Sequence, residues 1–145
     1  MTAYAERIRT LRAKVGKSAQ EVYQLLGMSS MEYFDLELHD NELPMVASLD
    51  QIRRLAAALG VTASALLSED GLTAPVRPIS YRELVERTRA YLSETELSQE
   101  QFENQIGWSL DRFFVSEQIT LESYNLEFLK ALCTGIGVPW LEAVP

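Results

Sequence analysis

Apolar residues recur along this chain at spacings of three and four, the period of an amphipathic helix. Ile8, Leu11 and Val15 make one stripe, and Val22, Leu25 and Leu26 make another. Start signals are regular. Ser18–Glu21, Ser29–Glu32, Ser48–Gln51, Ser80–Glu83 and Ser98–Gln101 all have capping-box spacing. In that arrangement a hydroxyl satisfies an orphan N–H, and the side chain three residues on reaches back. Gly27, Gly60, Gly107 and Gly137 stand where helices should stop, because glycine enters the left-handed region at little cost. No alternation of period two marks a strand. The stretch DGLTAPVRPI over 70–79 carries Gly71, Pro75 and Pro78 and reads as a linker. The expectation is an all-α chain.

The pattern repeats. A shift of 80 lays Ser18 on Ser98, Gly27-Met28-Ser29 on Gly107-Trp108-Ser109, Tyr33-Phe34 on Phe113-Phe114 and Glu37 on Glu117. Further on the shift falls to 77: Ser48 meets Asn125, both good N-cap residues, and Leu59-Gly60-Val61 meets Ile136-Gly137-Val138. This self-match predicts two units, 1–69 and 80–145, of about five short helices each, joined by the linker at 70–79.

Charge changes the picture. The net charge is −8 over 145 residues, unevenly spread. Arg7, Arg9, Arg12, Lys14 and Lys17 face only Glu6 within 1–20, whereas 21–52 holds seven acids and no Lys or Arg. From 93 to 145, nine acids stand against Arg112 and Lys130. Such a field argues against non-specific nucleic-acid binding. No apolar run approaches the roughly 20 residues that span a bilayer, and the basic N-terminus lacks the apolar core of a secretory signal. Cys133 is the single cysteine. It permits no internal disulfide and fits a cytoplasmic setting.

Two sets of motifs carry a family resemblance. LSQEQFENQIGWS at 97–109 is one; KSAQEVYQLLGMS at 17–29 with LDQIRRLAAALGV at 49–61 is the other. Each half resembles the Cro/C1-type (XRE-like) helix-turn-helix domain. The resemblance covers nearly the whole chain outside the linker. It implies a compact helical unit whose third helix enters the major groove and whose second helix opens with a phosphate-contacting Gln, and two such units packed as a pseudo-dimer. The departures are informative. Ala19 replaces that Gln in the first half. The small residue at the crossing of the second and third helices is Tyr23 in one half and Glu103 in the other. The reading positions are Ser30, Met31, Glu32 and Asp35, then Leu110, Asp111, Arg112 and Val115. Most cannot make the Arg–guanine or Asn/Gln–adenine contacts that specify sequence.

The expected role is therefore non-enzymatic: a regulatory or protein-interaction protein, antitoxin-like or immunity-like, on a degenerate helix-turn-helix scaffold. Its expected partner is another protein, a basic one, with no membrane and no small-molecule substrate. The candidate interaction residues are Glu32, Phe34, Asp35 and Phe114. Phe34 and Phe114 occupy equivalent outward positions, where they serve either an external partner or a contact between the two units. Tyr33 and Phe113 before them are expected in the core. The acids Glu32, Asp35, Glu37, Asp40 and Glu42 make either a solvated face or a docking surface. The basic N-terminal residues are expected to pair with acids of the same chain, and Glu37 and Glu117 also match a Glu of the family pattern. The alternative is a DNA-binding transcription regulator acting through Gln99, Ser109 and Arg112 of the second half. His39, the only histidine, lacks partners at metal-ligand spacing. No phosphate loop or nucleophile arrangement is present. Neither cofactor nor metal nor catalysis is expected.

Overall fold

All five serines expected to start helices do so, each side chain accepting the N–H three residues on. Four complete the reciprocal box; at Ser80 only the hydroxyl half forms. The computed structural model describes residues 3–68 and 77–145. Its helices are α1 (Tyr4–Val15), α2 (Ala19–Leu26), α3 (Ser30–Leu38), α4 (Glu42–Met45), α5 (Leu49–Ala58) and α6 (Ala63–Leu67) in the first half. The second half holds α7 (Tyr81–Thr95), α8 (Gln99–Ile106), α9 (Glu117–Ser123), α10 (Leu126–Ile136) and a closing 3-10 turn, Trp140–Ala143. No strand occurs among the described residues. Most of the expected linker, residues 70–76, lies outside them. Of its end, Ile79 is buried and donates its N–H to the Glu142 carbonyl at 2.7 Å.

Some helix boundaries keep the spacings of the self-match. α2 and α8 lie 80 residues apart, and α5 and α10 begin 77 apart. Even the left-handed cap of α1 at Gly16 (φ 71°) has its counterpart at Glu96 (φ 56°). Glutamate tolerates that conformation less well than glycine does. The halves also meet in related pairs: α5 packs on α9, α10 on α4, and α6 on the 3-10 turn. Between them Ser48 and Asn125 form an isolated antiparallel bridge. The Leu49 N–H meets the Tyr124 carbonyl at 2.9 Å, and the Asn125 amide donates to the Met45 carbonyl at 2.8 Å.

One continuous core runs through both halves. Tyr33, Phe102, Phe113 and Phe128 are fully buried among Ile8, Leu36, Ile52 and Leu55. Each such side chain contributes about 1.5–3 kcal/mol relative to exposure. Where α10 crosses α8, a Cβ on Gly135 would come within 3.0 Å of the Phe102 ring. The first half achieves the equivalent crossing with a smaller Val22 and a larger Ala58, both buried. The volume is conserved across the pair rather than at each site.

One expectation is corrected. The second half has no counterpart of α3: residues 111–115 are a run of turns before α9 begins. Ser109 lacks the Glu that completes the box at Ser29, since Arg112 stands in that place, and the N-terminus of a helix favours an acid there. Side chains claim the backbone groups instead. Glu103 accepts the Leu110 N–H at 2.5 Å. The Tyr124 hydroxyl donates to the Ser109 carbonyl at 2.7 Å and accepts the Phe113 N–H at 3.1 Å. Tyr81 donates to the Phe113 carbonyl at 2.6 Å. Ser116 then caps α9.

Candidate interaction surface

The sequence SMEYFDLEL of α3 places apolar residues on more than one side of the helix, with three acids among them. It is buried on one side only. Tyr33, Leu36 and Glu37 point inward, and the helix packs on α1 and α2. Met31, Phe34 and Leu38 recur at three- and four-residue spacing on the other side, 78%, 46% and 66% exposed. Asp35 lies among them, also exposed, and forms no ion pair among the described residues. Glu32 is exposed at the start of the helix, where its carboxylate accepts the Ser29 N–H at 3.2 Å. The expected residues Glu32, Phe34 and Asp35 are thus together. Met31 and Leu38 complete the stripe. The spacing 31, 34, 38 was the available signal for them, since a helix with one apolar face already spent on Tyr33 and Leu36 has a second to place.

Phe114 does not join this surface, and its expected outward position on a third helix is corrected. It is half-buried in the turn run, its ring 5.2 Å from Phe113 and lying under the Arg89 guanidinium at 4.7 Å. Folding the segment as turns draws it against α7.

The acidic run is also smaller than its letters suggest. Glu37 is 4% exposed and takes the Arg12 guanidinium at 2.7 Å, which holds the Arg12 pKa above its ordinary value. Arg9 donates to the Glu37 carbonyl. Asp40 accepts the Ala5 N–H at 3.1 Å. The other basic residues of α1 and its cap turn mainly to carbonyls: Arg7 to Leu66 and Ser68, Lys17 to Ala58. Tyr33 lies beside the Arg12–Glu37 pair. Burial, reinforced by the Glu37 charge, pushes its phenol well up. Its hydroxyl meets no partner at hydrogen-bond geometry among the described residues.

Gln99, Ser109 and Arg112 are engaged within the chain. The Gln99 amide donates to Glu103 at 3.2 Å and to Asp111 at 3.0 Å. The Ser109 hydroxyl accepts the Asp111 N–H at 3.3 Å, and Arg112 donates to Ser123 at 3.4 Å. His39 is an exposed residue closing α3. No cluster of three or more His, Cys, Asp or Glu side chains suited to a metal occurs among the described residues. No helix among them is long and apolar enough to cross a membrane.

No family model, curated protein or solved structure matches this chain.

Proposed function

We propose that the protein is a non-enzymatic interaction module that docks a basic protein through the outer face of α3. The observation that carries this reading is the exposed stripe Met31–Phe34–Leu38 with Asp35 set into it and Glu32 at its start. Apolar side chains supply desolvated contact, and uncompensated carboxylates steer a cationic partner. The scaffold we read beneath it is a pair of degenerate Cro/C1-like helix-turn-helix units packed as a pseudo-dimer. Support comes from the helices spaced 80 and 77 residues apart, the mirrored packing of α5 on α9 and α10 on α4, and the bridge joining the paired positions Ser48 and Asn125. DNA recognition is the weaker reading. Acids crowd the face a groove would meet, and the polar side chains of the second half are already bonded internally.

The test compares wild-type and Phe34→Ala protein as bait for proteins of the source cell, followed by affinity measurement on whatever is retained. Phe34→Ala should weaken that complex by roughly 2 kcal/mol while the protein stays folded. Asp35→Lys should slow association and flatten its salt dependence. Retention indifferent to both changes, or sequence-selective duplex DNA binding that collapses on Glu32→Ala, would overturn the reading.

A further inference from the structure

An apolar cavity of about 450 Å³ opens in the second half beside α5, walled by Ile79, Leu84, Phe113, Phe128 and Val144 together with Leu49 of α5. Its size falls within the range of about 300–1,000 Å³ typical of small-molecule sites. The corresponding place in the first half holds a larger side chain. Tyr4, equivalent to Leu84, is buried there and sends its hydroxyl to the Leu67 carbonyl at 3.3 Å. Arg7 donates to the Leu66 and Ser68 carbonyls at 2.6 and 2.5 Å. In the second half its counterpart Arg87 turns to Glu83 at 3.1 Å instead. A smaller side chain and a redirected arginine leave the space open.

The mouth carries two charges of different availability. Arg82 is 90% exposed and meets Glu86 at 3.4 Å. Glu117, an exposed residue lining the cavity, forms no ion pair among the described residues. Its counterpart Glu37 is buried against Arg12, but the residue equivalent to Arg12 is Leu92. The second half therefore keeps the carboxylate and has lost the chain's own cation for it.

We propose that this cavity binds a small amphipathic cation: an apolar chain or ring held among Leu84, Phe113, Phe128 and Val144, with an ammonium or guanidinium group at Glu117. The ligand would supply both the apolar volume that Tyr4 fills in the first half and the positive charge that Arg12 supplies there. This site is separate from the α3 surface and stands or falls without it.

The experiment titrates the full chain, labelled with ¹⁵N, with n-octylammonium, n-octanol and n-octanoate in turn, each below its aggregation threshold. Octylammonium should produce saturable amide shifts around 79–84, 113–121, 128–129 and 143–145. Octanol should bind about two- to fivefold more weakly and octanoate more weakly still, as an exposed ion pair implies. Glu117→Gln should bring octylammonium down to the octanol level. Leu84→Tyr, which copies the first half into the second, should abolish binding. If that variant does not fold, Val144→Phe narrows the same space. Absence of saturable shifts with all three probes overturns the proposal. So does octanoate binding tightest, which would assign the mouth to Arg82, or full binding retained in a folded variant with the cavity filled.

Discussion

Residues 29–38 and 109–118 stand 80 apart, each with a serine at its head and an aromatic pair in its middle, yet only the first is a helix. In the first, Glu32 closes the box on Ser29, and the inward Glu37 is held by Arg12 of α1. In the second, Arg112 replaces the boxing Glu, the Tyr124 hydroxyl comes between the Phe113 N–H and the Ser109 carbonyl that a helix would join, and Tyr81 takes the Phe113 carbonyl. Whether a segment coils depends on which partner takes its N–H and C=O groups, and local and distant side chains compete for them. The consequences reach the surface. The helix offers Met31, Phe34 and Leu38 to solvent, whereas the turn draws Phe114 under Arg89.

The largest expected effect comes from making the first half resemble the second at its ion pair. Arg12→Leu copies Leu92 and strands Glu37 in the interior, at a cost of about 3 kcal/mol. Adding Glu37→Leu should recover most of that loss, because an apolar pair substitutes well for a buried ionic one. Urea midpoints of the single and double variants measure both. A loss below about 1 kcal/mol would place the pair with ordinary surface bridges.

Next in size is the turn. Tyr124→Phe removes the hydroxyl that serves both Ser109 and Phe113, and should cost about 2 kcal/mol through two unsatisfied backbone groups. Backbone amide exchange should quicken between 109 and 116 and stay unchanged in α3. Equal change in both segments would remove the distinction between them.

A third difference is titratable. Cys133 of α10 corresponds to Ala56 of α5, and burial pushes its thiol up from 9.0 to about 12. The neutral thiol is the favoured folded form. Its contribution is complete below the unfolded value of about 9 and is lost as pH rises toward 12, by about 1.4 kcal/mol per pH unit. Stability measured from pH 8 to 11 should therefore fall less steeply in Cys133→Ala than in the parent. Parallel curves would show that the thiol does not contribute.

The smallest effect is expected at Tyr33, whose equivalent is Phe113. Since the buried Tyr33 hydroxyl has no hydrogen-bond partner among the described residues, Tyr33→Phe should change stability by less than about 1 kcal/mol, in the stabilising direction. A clear destabilisation would mean that the hydroxyl supports the Arg12–Glu37 pair.

What the chain's own letters determined is mostly local. The five serine starts and the glycine ends at Gly27, Gly107 and Gly137 were legible because capping acts within one turn of helix. The burial of Tyr33 and Phe113 was legible from periodicity. The α3 surface was legible in part: Glu32, Phe34 and Asp35 as residues, but not Met31 and Leu38 as their companions. The rest depended on elements far apart in sequence. Glu37 and Glu117 match in the alignment of the halves, yet one is buried and the other exposed, because a cation comes from α1 and none comes from α7. The turns that stand in place of α3 are held by Tyr81 and Tyr124, residues outside that segment. The cavity beside Leu84 exists only once α5, α7, α9 and α10 have been brought together. A hydrogen bond or a void between distant elements has no period and no local spacing, so only the packed chain reveals it.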